Sequence, residues 1–141
     1  MKYHFKIRKQ GKWLWAECME SGGWVTQAEN REALEKNMRE VLNAVLDEYP
    51  DSNWIPPLPN PAIKGRNIVE VPVDPKIALA TLVRLSRLRS KLTQKQAATM
   101  LGMKHVFQYQ KLESGKTANP ELGTLVKLKA LYPEFSVDAA L

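Results

Sequence analysis

The strongest constraint on the fold of this chain is a pair of short helical segments joined at a single glycine in its last third. Thr93 and Gln96 have the Thr-x-x-Gln spacing of a capping box, which predicts a helix that begins at Gln94. The small side chain of Ala98 gives that helix a flat inner face, across which another helix can pack closely. Gly102 follows and can take the left-handed conformation that a sharp turn needs. The segment therefore predicts a helix, a tight turn and a second helix.

The second helix is predicted to run from Lys104 or His105 to Glu113 and to end at Ser114-Gly115. Apolar residues recur in it at every third position, which predicts one buried face. The residues expected to point inward are Val106, Tyr109 and Leu112.

Supporting helices are predicted on both sides of this pair. Asp74 is placed to cap a helix that has Pro75 at its first position and runs from Lys76 to about Ser90. A further helix is predicted to start at Asn119-Pro120 and to stop at Pro133. The first of these helices ends in a basic cluster, which consists of Arg84, Arg87, Arg89 and Lys91.

Two short helices around a glycine turn, with flanking helices, indicate a helix-turn-helix. The segment resembles the lambda-repressor-like family of bacterial DNA-binding domains. Gln94 opens the first helix of the motif, Ala98 lies at the small crossing position, and Gly102 is the turn glycine. Leu112-Glu113-x-Gly115 closes the second helix. The distance from Gly102 to Glu113 is one residue longer than is usual in the family, which leaves the base-reading residues open.

The resemblance implies that the second helix enters the major groove of DNA. Gln108 would then offer two hydrogen bonds to an adenine edge, and Phe107 would meet a thymine methyl group. Gln110 is expected to be exposed on the same helix. Lysine side chains and the first helix N-terminus would contact phosphates. The predicted DNA-binding residues are Gln94, Lys95, Lys104, His105, Phe107, Gln108, Lys111 and Lys116.

The charge is distributed unevenly along the chain. Residues 1–70 contain ten Lys or Arg and ten Asp or Glu, whereas residues 71–141 contain eleven and five. The whole formal net charge of +6 therefore lies in the second half. A neutral half joined to a basic half predicts two functions, with the basic half facing a polyanion.

The first half predicts a β-β-β-α-β domain over residues 1–73, followed by an all-α domain over residues 74–141, so the predicted fold class is α+β. Alternating apolar residues predict the strands, and a three- to four-residue apolar repeat predicts the helix, for which Asn30 is the N-cap. Pro72 favours either an edge position for the last strand or the end of that strand. The predicted elements are strands over residues 2–9, 12–19, 24–28 and 67–73 and a helix over 31–49. The proline-rich segment 50–66 contains Pro50, Pro56, Pro57, Pro59 and Pro61.

This order of elements, with a repressor-like domain at the end, resembles the HicB antitoxin family. The resemblance rests on Trp13-Leu14-Trp15, Glu32-Ala33-Leu34 and Ile55-Pro56-Pro57-Leu58-Pro59. It implies a degraded ribonuclease-H-like domain that binds and masks a small basic ribonuclease toxin. It also implies a homodimer or higher homo-oligomer that binds operator DNA and represses the operon of the pair. The acidic outer face of the first helix is either a contact for such a basic protein or a solvated surface.

Other functions are distinguished by the residues that they need. Two strands with only Glu17 and Glu20 lack the carboxylate cluster of a metal-dependent nuclease, and no phosphate loop or nucleophile–base pair appears, so an enzyme, a metal and a cofactor are not expected. A single cysteine, Cys18, indicates a reducing compartment, and a cytoplasmic protein without a membrane segment is expected. The alternative is a ligand-responsive repressor with no toxin partner. In it, tryptophans line a pocket instead of filling the core.

Overall fold

The computed structural model describes residues 1–49 and 51–141, and Pro50 of the predicted proline-rich segment lies outside the described residues. These residues form an α+β structure that contains one four-stranded antiparallel sheet and five helices. The strands are β1 (Lys2–Gln10), β2 (Trp13–Cys18), β3 (Val25–Ala28) and β4 (Ile68–Pro72). The helices are α1 (Arg31–Leu46), α2 (Pro75–Arg89), α3 (Gln94–Met100), α4 (Val106–Gln110) and α5 (Leu122–Leu131), with a 3-10 turn at Lys111–Glu113.

The structure is α+β, but the predicted fold, a β-β-β-α-β domain followed by a separate all-α domain, is wrong. The elements follow one another as β-β-β-α-β-α-α-α-α, and they do not divide into a β-β-β-α-β domain followed by an all-α domain. Two compact units interleave along the chain: unit 1 contains Met1–Val45 and Pro56–Val73, and unit 2 contains Leu46–Ile55 and Asp74–Leu141. The end of α1 belongs to unit 2, where its Leu46 carbonyl accepts a hydrogen bond of 3.4 Å from the Thr81 hydroxyl. This contact joins residues that are 35 positions apart in the sequence, and the spacing of apolar residues does not predict such a contact.

Unit 1 is built on the sheet, whose strand order is β3-β2-β1-β4. Both β1 pairings are antiparallel, with Phe5 opposite Cys18 in β2 and opposite Val69 in β4. The predicted edge position of the strand that contains Pro72 is confirmed, because β4 lies at one side of the sheet. Asn30 caps α1 as predicted, since its Oδ1 accepts from the Ala33 amide at 2.8 Å. The buried core of the unit includes Tyr3, Phe5, Leu34, Met38 and Leu42.

Residues 56–60 of the proline-rich segment are tied to unit 1 by polar contacts. The Tyr3 hydroxyl donates to the Pro57 carbonyl at 2.8 Å, and the Asn60 amide donates to the Glu20 carboxylate at 3.2 Å. Glu20 also accepts from the His4 backbone amide at 3.0 Å and lies 2.6 Å from His4 Nδ1. A buried carboxylate thereby organises one end of the sheet.

Unit 2 contains α2 and the shorter helices α3, α4 and α5. Asp74 caps α2 as predicted, because its side chain accepts from the Lys76 amide at 2.9 Å. The predicted start of the last helix at Asn119-Pro120 is wrong, since α5 begins at Leu122 with Glu121 at its N-cap. Proline at 120 therefore precedes this helix and does not open it. The apolar core of the unit includes Val83, Leu85, Ala97, Leu101 and Leu128.

No helix within residues 1–49 and 51–141 combines the length and the apolar character that crossing a bilayer requires.

Candidate functional site

The candidate site lies on α3 and α4 and on the turn that joins them. The predicted capping box is present: the Thr93 side chain accepts from the Gln96 amide at 3.1 Å, and Gln96 Oε1 accepts from the Thr93 amide at 2.8 Å. Gly102 has a φ of +73°, as the predicted turn requires. The α3 helix, the turn and α4 are thus defined by local interactions, and their connectivity is that of a helix-turn-helix.

A buried ion pair fixes α2 against the turn that ends α4. Arg87 donates from Nε to Glu113 Oε1 at 2.6 Å and from Nη2 to Oε2 at 3.1 Å, and the two side chains are only 6% and 0% exposed. Arg87 also donates to the Leu92 carbonyl at 3.0 Å. Burial disfavours the charged form of Arg87. The hydrogen bond and the negative charge of Glu113 outweigh this effect, so the pKa of Arg87 is raised. This pair holds α2 against the turn that follows α4, and α4 carries exposed residues of the candidate site.

The predicted basic cluster at the end of α2 is therefore only partly on the surface. Arg89 and Lys91 are exposed, but Arg84 and Arg87 are buried. Burial lowers the pKa of Arg84, and its Nη2 has no hydrogen-bond partner among the described residues. Arg84 and Arg87 thus contribute to the interior of unit 2 and offer no charge to a polyanion.

Gln94 is held inside the helix pair. Its Nε2 donates to Glu113 Oε2 at 3.0 Å, and its Oε1 accepts from Gln110 Nε2 at 3.1 Å. Behind them, the Tyr109 and Tyr132 hydroxyls lie 2.7 Å apart in the core, where burial raises the pKa of Tyr109. The side chain predicted to contact phosphate is therefore engaged within the protein.

Four of the predicted residues line one groove on the surface of unit 2. Lys95, Lys104, His105 and Phe107 are all exposed, and they border a depression of about 430 Å³. Its remaining lining consists of Ala98, Thr99, Met103 and Val106. Within the described part of the chain, Lys95 and Lys104 form no ion pair, so their charges face solvent. We call this depression the α3–α4 groove.

Phe107 projects from α4 with 51% of its surface exposed, although it is a large apolar residue. The His105 ring stacks beside it with centroids 5.7 Å apart and planes at 19°. The Lys111 ammonium lies 5.4 Å from the centre of the Phe107 ring, within the range of a cation–π interaction. His105 and Lys111 therefore hold the Phe107 ring in an exposed position.

The two other predicted residues are placed differently. Gln108 is exposed, but its Oε1 accepts from the His105 backbone amide at 3.2 Å, so this side chain caps α4. Lys116 is exposed in the loop after the 3-10 turn and does not line the α3–α4 groove.

Sequence reasoning misplaced one apolar residue and missed another. Val106, which was predicted to point inward, is 37% exposed, while Tyr109 and Leu112 are buried as predicted. The apolar groove residue Met103 was not predicted at all. The long interval between Gly102 and Glu113 was the available signal, because an added residue in the turn before α4 changes which positions there face the core.

Unit 1 has a separate groove between α1 and the edge strand β4. It measures about 470 Å³ and is bordered by Met38 of α1 and by Val71 and Pro72 of β4. Its charged rim consists of Glu32, Glu35, Lys36, Arg39 and Glu40. Two of these carboxylates are matched by lysine or arginine on the same helix, Arg31–Glu35 at 3.1 Å and Lys36–Glu40 at 3.8 Å. Glu32 forms no ion pair within residues 1–49 and 51–141.

The described residues bear on two further questions, the presence of metal ligands and the reactivity of the cysteine. Among the described residues, no group of three or more His, Cys, Asp or Glu is close enough to hold a metal ion. Cys18 is buried, and burial raises the pKa of its thiol to about 11, so the thiolate form that acts as a nucleophile is disfavoured.

Comparison of the chain with protein-family models finds no match, and comparison with curated proteins finds no relative.

Proposed function

We propose that this protein is a DNA-binding repressor whose unit 2 binds an operator through the α3–α4 groove, and that it acts as the antitoxin of a toxin–antitoxin pair. The observation that supports DNA binding is the set of exposed, unpaired cations of Lys95 and Lys104 beside α4. A helix of this kind fits the major groove of B-DNA, and lysines at its margins contact phosphates.

The buried Arg87–Glu113 pair supports the same proposal. Side chains that are held in position before binding lose less entropy on association, so a rigid support favours base readout. The pair, Gln94 and the capping box connect α2, α3 and the end of α4 into one scaffold. The exposed residues of α4 therefore stand on a fixed base.

The antitoxin part of the proposal is supported by the resemblance to the HicB family and by the groove in unit 1. The edge strand β4 leaves one side of the sheet unpaired, and an added strand can pair there. The neighbouring Glu32 offers a carboxylate to a basic partner. We place the masked toxin at this groove, which leaves the α3–α4 groove for DNA.

DNA binding is tested by selection from a random duplex pool, followed by anisotropy titrations of the selected duplex over a range of salt concentrations. The slope of log K against log salt should be steep, and Lys95→Ala or Lys104→Ala should each reduce it by about 0.9. Lys127→Ala, an exposed lysine of α5 outside the groove, is the matched control and should leave the slope unchanged. Binding that is insensitive to salt, or equal losses for all three variants, would contradict the proposal.

The antitoxin function is tested by expressing the products of adjacent genes with and without this chain. One small basic product should arrest growth alone and be rescued by co-expression, and the purified pair should form a stoichiometric complex. Glu32→Lys should weaken rescue, whereas Glu134→Lys, an exposed charge reversal in unit 2 outside the helices, should not. Specific operator binding together with no toxic neighbour would leave a repressor and remove the antitoxin function.

A further inference from the structure

The polar side chains of α4 that are suited to base readout are already engaged within the protein. A bidentate contact to adenine needs a glutamine Oε1 to accept and an Nε2 to donate. Gln108 Oε1 caps the helix by accepting from the His105 amide, and Gln110 Nε2 donates to Gln94. These bonds use one lone pair of Gln108 Oε1 and one N–H of Gln110 Nε2, and they fix both amides in place, so neither glutamine turns freely toward an adenine edge.

The side chain that does project freely is apolar. Phe107 is half-exposed and, through its neighbours Met103 and Val106, continues into the apolar lining of the α3–α4 groove. Lysines lie around this apolar area: Lys95 and Lys104 border the groove, and Lys111 lies over the Phe107 ring. An apolar surface that is bordered by lysines is complementary to an apolar group of DNA that lies between phosphates.

In the major groove of DNA, one apolar group is available at a base edge, the 5-methyl group of a pyrimidine. Thymine carries it by nature and cytosine carries it when methylated. We infer that Phe107 reads a pyrimidine 5-methyl group, so that operator affinity depends on that methyl group whether thymine or 5-methylcytosine presents it. This inference rests on the proposed function.

The ring is positioned for such a contact before DNA arrives. His105 stacks beside it and the Lys111 ammonium lies 5.4 Å from its centre, so the aromatic side chain loses little further freedom on binding, while half of its surface stays open to a ligand. Burial of one methyl group contributes about as much as one CH2, and this corresponds to roughly a fourfold change in affinity. The effect is therefore small enough to require a matched comparison and large enough to measure.

The test is a set of titrations of the selected duplex, in which each thymine is replaced in turn by deoxyuridine, which lacks only the methyl group. The wild type should lose about fourfold in affinity at one position of the site. At the same position, a 5-methylcytosine duplex should bind about fourfold more tightly than its unmethylated cytosine counterpart. Phe107→Ala should bind more weakly and show neither difference.

Phe107→Leu, which keeps an apolar side chain, should retain part of the methyl preference, and circular dichroism should show both variants folded because the ring is exposed. Leu122→Ala, an exposed apolar residue of α5, should keep the full preference. If the wild type binds a specific duplex but tolerates every deoxyuridine, or if Phe107→Ala keeps the preference, the inference is overturned while the proposed function stands. A wild type that selects no DNA overturns both.

Discussion

Replacement of Arg87 by methionine removes one partner of a buried ion pair and leaves the other in the core. The Glu113 side chain is fully buried, and Arg87 donates two hydrogen bonds to it and a third to the Leu92 carbonyl. Breaking a buried pair in this way costs about 3–5 kcal/mol, because an uncompensated charge remains in the interior. Arg87→Met should therefore lower the free energy of unfolding of unit 2 by about 4 kcal/mol.

The measurement is urea denaturation followed by circular dichroism, with hydrogen exchange of α3 amides to assign the loss to unit 2. For a urea m-value of about 2 kcal/mol/M, the midpoint should fall by about 2 M. The double variant Arg87→Met with Glu113→Leu should recover at least half of the loss, since no charge is then buried without a partner.

Arg84→Met is the matched control, because Arg84 is equally buried on the same helix but its Nη2 has no hydrogen-bond partner among the described residues. Replacing it with an apolar side chain removes a desolvated group, so we expect a loss below about 1 kcal/mol or a gain in stability. Equal losses for Arg84→Met and Arg87→Met, or a double variant as unstable as Arg87→Met alone, would refute this reasoning.

Two further predictions concern Glu20 and the turn glycine. Burial opposes ionisation of Glu20, but hydrogen bonds from His4 and Asn60 outweigh it and lower the pKa of Glu20. Its stabilising contribution is therefore complete above the ordinary pKa of 4.5 and is lost as the pH falls through the lowered value. Glu20→Gln should be less stable than the wild type at neutral pH, with a gap in urea midpoint that narrows below pH 4.5, and a gap that stays constant down to acidic pH would contradict this reasoning. Gly102→Ala should lower the free energy of unfolding by about 1–2 kcal/mol in the same assay, because its φ is +73° and nothing crowds an added Cβ. Gly123→Ala in α5, which is equally uncrowded but lies in a helix, should raise it by up to about 1 kcal/mol, and the opposite order would contradict the assigned conformations.

The parts of this protein that sequence alone determined are those set by contacts within a few residues. The capping box at Thr93 and Gln96, the turn at Gly102 and the caps at Asn30 and Asp74 each involve groups no more than three positions apart. Such interactions repeat wherever the same residues occur at the same spacing. They defined the starts of α1, α2 and α3 and the turn after α3, while the alternation of apolar residues predicted the strands.

Tertiary structure decided which polar side chains face solvent. Arg87 and Arg89 look alike in sequence, yet Arg87 is buried because Glu113, 26 positions away, meets it. The same holds for Gln94 and Gln110, which are 16 positions apart and bond to each other. The interleaving of the two units also depends on a distant contact, between Leu46 and Thr81. Contacts between residues that are distant in sequence do not appear in the spacing of residues along the chain. Only the tertiary structure therefore shows which charged side chains are exposed to a ligand and which are buried as supports of the site.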